Sequence, residues 1–556
     1  MLKYLTASAL ATSIVVASPI PADRAPETFD ENIPVALVSQ KALEHHALAR
    51  TLFQALPANQ QATLTRAGAI GPDAQLPIGA GVLTNRVVEA GSLTIEKVET
   101  QFGLTFSPEH RNLLTRFQTM ADAGEAVPSL CLSPDTDPKL AEALLLMIDS
   151  ITGAGPERYQ IGSRWSSTAT DGSTGSTGDP INLTWSYVPD GTPADGDTSD
   201  LFAWLDSVYA ADGGRAEWQL RISQTFTRWG FLSGINYIYE PNDDGAPVSS
   251  SRPGIVGVRG DVRICGIFID GNSNVLAYNY YPSHGDMFLD SADNFYNELS
   301  QNSRRIKNVV SHEHGHGMGL AHVEPVSQTK LMEPFVSTAY LGPKTDDTLG
   351  AQRNYGDVFE DNNTAGTATD LGTFNDGDSY VRKDLSTDDN SDVDYFKINV
   401  SAAGDLTVNC VLAGGEYLMG PQGGSSVLTD YDSIHDLEIQ IRDGADTLVQ
   451  TIDNTGLGFD EGGTASLSAA GTYYIRVAPL NSTNNIQLYD FDFNFTATAI
   501  PCPVDLSGDG VVDNGDIGFF VTLFLAGDPS VDFSGDGVID NGDIGLFVTL
   551  FLAGCP

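Results

Sequence analysis

His312-Glu313-His314-Gly315-His316-Gly317-Met318-Gly319-Leu320-Ala321-His322 contains the pattern H-E-x-x-H-x-x-G-x-x-H, and each fixed position has a chemical task. On a helix, His312 and His316 lie four residues apart, so both imidazoles leave one face at a separation that suits a single tetrahedral zinc. Gly319 lets the helix stop and the chain turn, which brings His322 round as third ligand. Three protein ligands leave the fourth position to water, the mark of a catalytic rather than a structural site. Glu313 stands beside the ligands without joining them, placed to take a proton from that water. Four of the nine histidines fall in this eleven-residue window, a concentration that argues against chance. His314 lies two residues from each helical ligand, on another face, and reads as structural.

The flanking sequence carries a resemblance. Leu331-Met332-Glu333-Pro334 resembles the Met-turn beneath the zinc site of metzincin peptidases. Asp346-Asp347, Gly350, Gln352, Tyr355 and Gly356 resemble the closing helix of the matrixin branch. Gly260 to Ile264, Val275 to Pro282, Gly285 to Asp290 and the helix ending near Trp229 are similar to that branch as well, so the resemblance covers about residues 156–356. It implies an α/β metzincin fold with a mixed sheet and a zinc helix. It also implies endopeptidase action on proteins and peptides, with Glu313 as catalytic base and Met332 as an apolar floor. Matrixins usually carry a second, structural zinc; the matching positions here are Tyr278 and Phe288, so one zinc is expected. Asp290 and Asp293 match calcium-binding positions of the family, and carboxylate oxygens suit that ion. In so acidic a chain two such aspartates also read as a solvated face, and both readings stand.

At 556 residues the chain is too long for one core. Asp plus Glu outnumber Lys plus Arg 73 to 29, a net charge of −44, which argues against nucleic acid and against anionic membranes. Residues 1–22, with Lys3 ahead of a short apolar run, have the layout of a signal peptide, and no later stretch is long enough for a transmembrane segment. A secreted protein is expected.

Residues 23–155 read as a helical pro-region, with apolar three- and four-residue spacing in Ala42–Leu56, Leu113–Met120 and Leu140–Ile151. Its position before the zinc motif suits an inhibitory propeptide. Cys131, in Pro128-Ser129-Leu130-Cys131-Leu132-Ser133-Pro134-Asp135, resembles the matrixin cysteine switch, in which a thiolate occupies the open zinc position. The family's arginine and glycine are missing, so a structural cysteine is the alternative. Within 156–356, strands are expected at Ile181–Tyr187, Val256–Val262, Ile264–Ile269 and Leu276–Tyr281, with helices at Trp218–Trp229 and Ile306–Met318. Substrate is expected to lie extended along Leu276–Tyr281.

From 357 to 498 the pattern becomes strict alternation, as in Tyr395–Val400, Leu437–Arg442, Tyr473–Val477 and Phe491–Phe495, which predicts an antiparallel β-sandwich. Phe359-Glu360-Asp361-Asn362, Asp394-Tyr395-Phe396 and Gly471-Thr472-Tyr473-Tyr474 resemble the pre-peptidase C-terminal domain of secreted bacterial peptidases.

Residues 499–556 hold an internal repeat. Asp505, Ser507, Asp509, Val511, Asp513 and Asp516 recur 27 residues later as Asp532, Ser534, Asp536, Val538, Asp540 and Asp543. Oxygen donors at this spacing, with glycine at the sixth position, are what a calcium loop requires, and each loop leads into one apolar helix. The arrangement resembles the dockerin modules that plug into cohesin domains, which implies two calcium ions and a cohesin-like partner. Cys502 and Cys555 bracket the module and suggest a disulfide clasp. Cys265 and Cys410 read as buried thiols. The leading expectation is a secreted, zinc-dependent endopeptidase tethered to a surface or complex by the calcium module. The rival is a non-catalytic adhesion or scaffold protein with a vestigial protease fold; retention of both ligands and base favours the enzyme.

Overall fold

The computed structural model describes residues 93–152, 161–248, 253–324, 326–422, 426–498, 502–508 and 511–554. The expected signal peptide, the expected helix Ala42–Leu56, the loop ligand Asp509 and Cys555 lie outside the described residues.

A six-stranded mixed sheet organises the zinc-motif region. Its order is Ser129–Leu132, Val275–Asn279, Met287–Asp290, Val262–Ile267, Ile181–Tyr187, Ile235–Tyr239. The last four strands run parallel, and Val275–Asn279 is antiparallel to its neighbour. Parallel strands are covered on both faces, so Ile181–Tyr187 is buried along nearly its whole length. Helices Arg215–Leu232 and Ser300–Gly317 pack on this sheet. Trp185 stacks on Phe226 at 4.4 Å, and the Trp229 indole donates to the Ser311 carbonyl at 3.1 Å, tying one helix to the other. In the second helix Gln301, Asn302 and Ser303 have left-handed backbone angles, and the regular turns follow them. Its end is fixed at Gly319, where φ is +104° and a Cβ would lie 1.9 Å from the Ser163 carbonyl oxygen. Only glycine meets both demands.

Two expectations need correction. The region expected to be helical before residue 156 is not wholly so: between helices Pro108–Asp122 and Pro138–Thr152 the chain forms the strand Ser129–Leu132, the outer member of the six-stranded sheet. All four of its residues are buried, so it lacks the alternation that marks a half-exposed strand. No strand forms over the expected Val256–Val262, where Gly257 turns the chain with φ +77°; the strand expected at Ile264–Ile269 is present as Val262–Ile267.

Helix Ile95–Phe102 is capped by Thr94, and Pro108–Asp122 by Ser107 with proline in its first turn. Leu114, Phe117, Leu144 and Ile148 from these N-terminal helices share one apolar core with Val275, Tyr278 and Phe288 of the sheet. Where a second zinc would sit, Tyr278 stacks on Phe288 at 4.8 Å and receives Phe117 edge-on at 5.5 Å.

The sandwich has a five-stranded sheet (Thr369–Phe374, Asp394–Val400, Gly471–Pro479, Leu437–Asp443, Leu448–Ile452) and a four-stranded sheet (Ser379–Thr387, Gln487–Ala497, Gly404–Leu412, Glu461–Leu467). Alternate residues such as Phe396, Ile398, Ile439, Ile475, Phe491 and Phe493 fill the space between them. One hairpin leaves this core. Strand Glu416–Pro421 pairs with Val427–Asp430 on one side and with Val323–Glu324, directly after His322, on the other.

At the C-terminal end, helices Asn514–Ala526 and Asn541–Ala553 each begin with an aspartate capping box and meet through Phe520 and Phe547, stacked at 4.0 Å. Cys502 is disulfide-bonded, whereas Cys131, Cys265 and Cys410 are free and buried. No helix among the described residues is long and apolar enough to cross a membrane.

Candidate metal centre and cleft

His312 and His316 project from consecutive turns of helix Ser300–Gly317, and the turn at Gly319 returns His322 to face them. The three Nε2 atoms form a near-equilateral triangle with edges of 3.1, 3.2 and 3.2 Å. Zinc bonded to imidazole nitrogens at about 2.05 Å with tetrahedral angles needs edges of about 3.3 Å, so the donor set fits that ion. Each ring is oriented through its other nitrogen: His312 Nδ1 donates to the Leu331 carbonyl at 2.7 Å, His316 Nδ1 to the Leu320 carbonyl at 2.7 Å, and His322 Nδ1 to Gln422 Oε1 at 2.6 Å. Those bonds select the tautomer whose Nε2 lone pair points inward. Burial keeps the rings neutral, lowering His312 to about 4 and His322 to about 3, with His316 pushed well below its ordinary value by burial and its two histidine neighbours.

The supports of this triangle come from downstream. Asp347, in helix Thr345–Tyr355, accepts the amides of Leu331 and Met332 at 2.8 and 3.0 Å, fixing the segment whose carbonyl holds His312. Met332 lies under the helix at Gly315, where a Cβ would come within 2.3 Å of its sulfur. Asn354 and Tyr355 both donate to the Met318 carbonyl and secure the helix end. His314 points away from the metal triangle, bonded to the Tyr237 hydroxyl at 2.6 Å.

Glu313 is fully buried, and neither carboxylate oxygen has a conventional hydrogen-bond partner. Burial pushes its carboxyl well above the usual range, opposed only by the neighbouring Cys131 thiol. Cys131, His312 and Glu313 bring their ligand atoms within 4.8 Å of one another. The thiol is carried there by the strand Ser129–Leu132, paired antiparallel with Val275–Asn279 so that Cys131 faces Ala277 and Leu130 faces Tyr278. On its other side Leu132 donates to the Pro334 carbonyl and accepts from the Val336 amide, both at 3.1 Å. An extended tetrapeptide thus lies between two backbone ladders across the mouth of the metal site, as an added strand would.

One residue and one cluster here escape sequence reasoning. Gln422 stands 100 residues from His322, on the hairpin of the sandwich, and its Nε2 donates to both oxygens of Asp149 at 2.9 Å. A second group able to hold a cation joins Asp357, Glu360 and Asp394 where the two domains meet. By contrast, Asp290 spends its oxygens on the amides of Asp270, Gly271 and Ala292, and Asp293 on those of Ser273 and Phe295. In the C-terminal repeat, Asp516, Asp543 and Asp532 each accept two loop amides, and Asp505 accepts the Gly508 amide and the Ser507 hydroxyl. Asp536 and Asp540 bond Val538 and Gly542, and Asp513 bonds Gly515.

Residues 260–356 match the Matrixin family, and residues 392–479 match the bacterial pre-peptidase C-terminal domain. The chain is also 27% identical over 150 residues to the hatching enzyme of Paracentrotus lividus, covering 27% of this chain and 23% of that protein. It therefore spans less than a quarter of that relative's length. Two solved structures resemble it in part. The pre-peptidase C-terminal domain of a collagenase from Bacillus anthracis is 11% identical, covering 23% of this chain and 95% of that one, with a TM-score of 0.16. PliG, a periplasmic lysozyme inhibitor from Aeromonas hydrophila, is 14% identical, covering 23% and 99%, with a TM-score of 0.15. The chain carries a matrixin domain and, after it, a bacterial pre-peptidase C-terminal domain.

Proposed function

We propose that this chain is a secreted, zinc-dependent endopeptidase in its latent form. The observation that carries the reading is the triangle of three neutral Nε2 donors beside a buried carboxylate, opening onto a cleft that already accepts an extended peptide. His312, His316 and His322 hold the zinc. When bound, the metal supplies Lewis acidity to the scissile carbonyl and makes a water acidic near neutral pH. Glu313 takes the proton of the attacking water and delivers it to the leaving amine. Val275–Asn279 and Pro334–Val336 orient the substrate backbone from either side, and Met332 keeps the floor of the site dry.

Latency follows from occupancy. Ser129–Leu132 fills the cleft, and Cys131 sits against the base. Because Cys131 groups with His312 and Glu313 and not with the full triad, strand occupancy is the main restraint and the thiol a secondary one. The C-terminal loops, with Asp505, Ser507, Asp509, Val511, Asp513 and Asp516 and their repeat Asp532, Ser534, Asp536, Val538, Asp540 and Asp543, bind two calcium ions and tether the enzyme through a cohesin-like partner.

Casein hydrolysis by the chain freed of its pro-region tests the reading. Activity that requires zinc and vanishes in Glu313→Ala is expected; equal activity in that variant would overturn the mechanism.

A further inference from the structure

His312 and His316 each rest on a backbone carbonyl of the matrixin domain itself, but His322 rests on a side chain from another domain. We propose that Gln422 is a positioning residue of the metal centre, through which the sandwich domain sets the tautomer of the third zinc ligand. The inference deepens the zinc reading above and rests on it.

The hydrogen-bond directions are dictated in sequence. Among the partners of the Gln422 amide, the Asp149 carboxylate can only accept, so the NH2 end of the amide must face it, and both oxygens lie 2.9 Å from Nε2. That leaves Oε1 pointing at His322 Nδ1, 2.6 Å away, where it can only accept. Nδ1 therefore carries the proton, and Nε2 presents its lone pair to the triangle. The contact is built into the fold. Gly420 and Pro421 pair with Glu324 and Val323, two residues beyond the ligand. Tyr417 on the same strand donates to Asp346 at 3.0 Å, and Lys330 stands 5.9 Å from its ring. A short strand ladder and a tyrosine anchor thus hold the hairpin against the zinc region. Asp149 belongs to helix Pro138–Thr152 of the pro-region, so one glutamine links pro-region, sandwich and metal ligand.

The test uses the full chain, with zinc affinity read by chelator competition and the visible spectrum of the cobalt(II)-substituted protein. Gln422→Leu is expected to weaken zinc binding by about 10- to 100-fold and to shift the cobalt bands. Gln422→Glu alone sets two carboxylates face to face and is expected to weaken it too. Adding Asp149→Asn restores a donor–acceptor pair and is expected to bring affinity and spectrum back. Tyr417→Phe removes one anchor of the hairpin while the strand pairing and Gln422 remain, and is expected to cost less zinc affinity than Gln422→Leu. Zinc affinity in Gln422→Leu within twofold of the parent overturns the proposal, as does an equal loss in Tyr417→Phe, which would make the hairpin a mere buttress. A parent chain that binds no zinc overturns the zinc reading itself, whereas tight parental binding with an unaffected Gln422→Leu overturns this inference alone.

Discussion

Among the described residues, a nitrogen cluster and an oxygen cluster of metal-binding type have donors that behave in opposite ways. The nitrogen cluster, His312, His316 and His322, has edges of 3.2 Å or less, its members are neutral, and each is held by an acceptor behind it. The oxygen cluster, Asp357, Glu360 and Asp394, is built from groups that repel one another when ionised. Burial and then the carboxylates of Asp392, Asp394 and Asp357 drive Glu360 up to about 11; burial chiefly lifts Asp357 to about 6, and Asp388 and Asp392 beside them reach about 8 and 7. Glu360 Oε1, Asn362 Oδ1 and Asp392 Oδ1 are buried without hydrogen-bond partners. Neutral donors can be arranged in advance by their supports. Charged donors reach the same arrangement only by taking up protons or a cation.

The largest expected effect separates donors from chemistry inside the nitrogen cluster. Glu313→Gln is expected to lower kcat by about 10²- to 10⁴-fold in the processed enzyme while zinc content, measured by metal analysis, stays at the parental level. Loss of zinc along with activity would mean that the carboxylate belongs to the donor set, and the contrast drawn above would fail.

Acidity pulls the two clusters apart. The histidines are neutral when folded, with His312 at about 4 and His322 at about 3, and titrate near ~6.5 when unfolded. Their contribution is complete above ~6.5 and is lost as pH falls toward 4. Asp357, Asp392 and Asp388 hold protons more tightly folded than unfolded, where an aspartate titrates near ~4. Their contribution is complete below ~4 and drains as pH rises through 6 to 8. Segment-resolved amide exchange on chelator-treated chain, corrected for intrinsic rates, is the measurement. Residues 304–317 are expected to lose protection on going from pH 7 to 5, and residues 384–398 on going from pH 5 to 8, each by on the order of a few kcal/mol. A hard divalent cation is expected to flatten the second slope. Slopes of the same sign in both segments would refute the comparison.

Occupancy of the cleft gives a smaller, kinetic effect. Leu132 spends its amide on Pro334, so Leu132→Pro removes one rung of the ladder. Residual casein hydrolysis by the unprocessed chain is expected to rise about tenfold, the equivalent of one net hydrogen bond. Cys131→Ser is expected to raise it less, because the strand stays in place. The reverse order would make the thiol the chief restraint.

How much of this was legible follows from where the information sits along the chain. The zinc triangle and its base lie within eleven consecutive residues, so helical spacing alone brings His312 and His316 together and one glycine accounts for His322. The sandwich strands at Asp394–Val400 and Leu437–Asp443 were readable because one face is buried and one is half-exposed, which imposes a period of two. Ser129–Leu132 has no such asymmetry; both faces are covered, and only its register with Val275–Asn279 identifies it. Gln422 is an ordinary polar residue in a turn until the hairpin meets Val323, and Asp149 looks like the polar side of an amphipathic helix. The oxygen cluster draws on Asp357, Glu360 and Asp394; Glu360 and Asp394 lie in motifs of the sandwich resemblance, but in a chain with 73 acidic residues none of the three marks a cation site by itself. Local motifs announce themselves, whereas partners delivered by a second domain do not.

The smallest expected effect probes what lies beneath the nitrogen cluster. Met332 is buried to 1% exposure and fills the space at Gly315, between the turns that carry His312 and His316. Its role is volume and dryness, with no donor or acceptor on which a ligand depends; the bond to His312 comes from the Leu331 carbonyl instead. Met332→Leu keeps an apolar side chain of similar volume but branches it near the close approach to Gly315, so a loss of about 1 kcal/mol is expected in chemical denaturation of the zinc-loaded chain. Zinc affinity is expected to remain within a factor of about two, because the rings keep the acceptors that orient them. A drop in affinity as large as that expected of Gln422→Leu would mean that the methionine sulfur helps define the metal's surroundings, and the preorganisation of the triangle could no longer be credited to the bonds at Nδ1 alone.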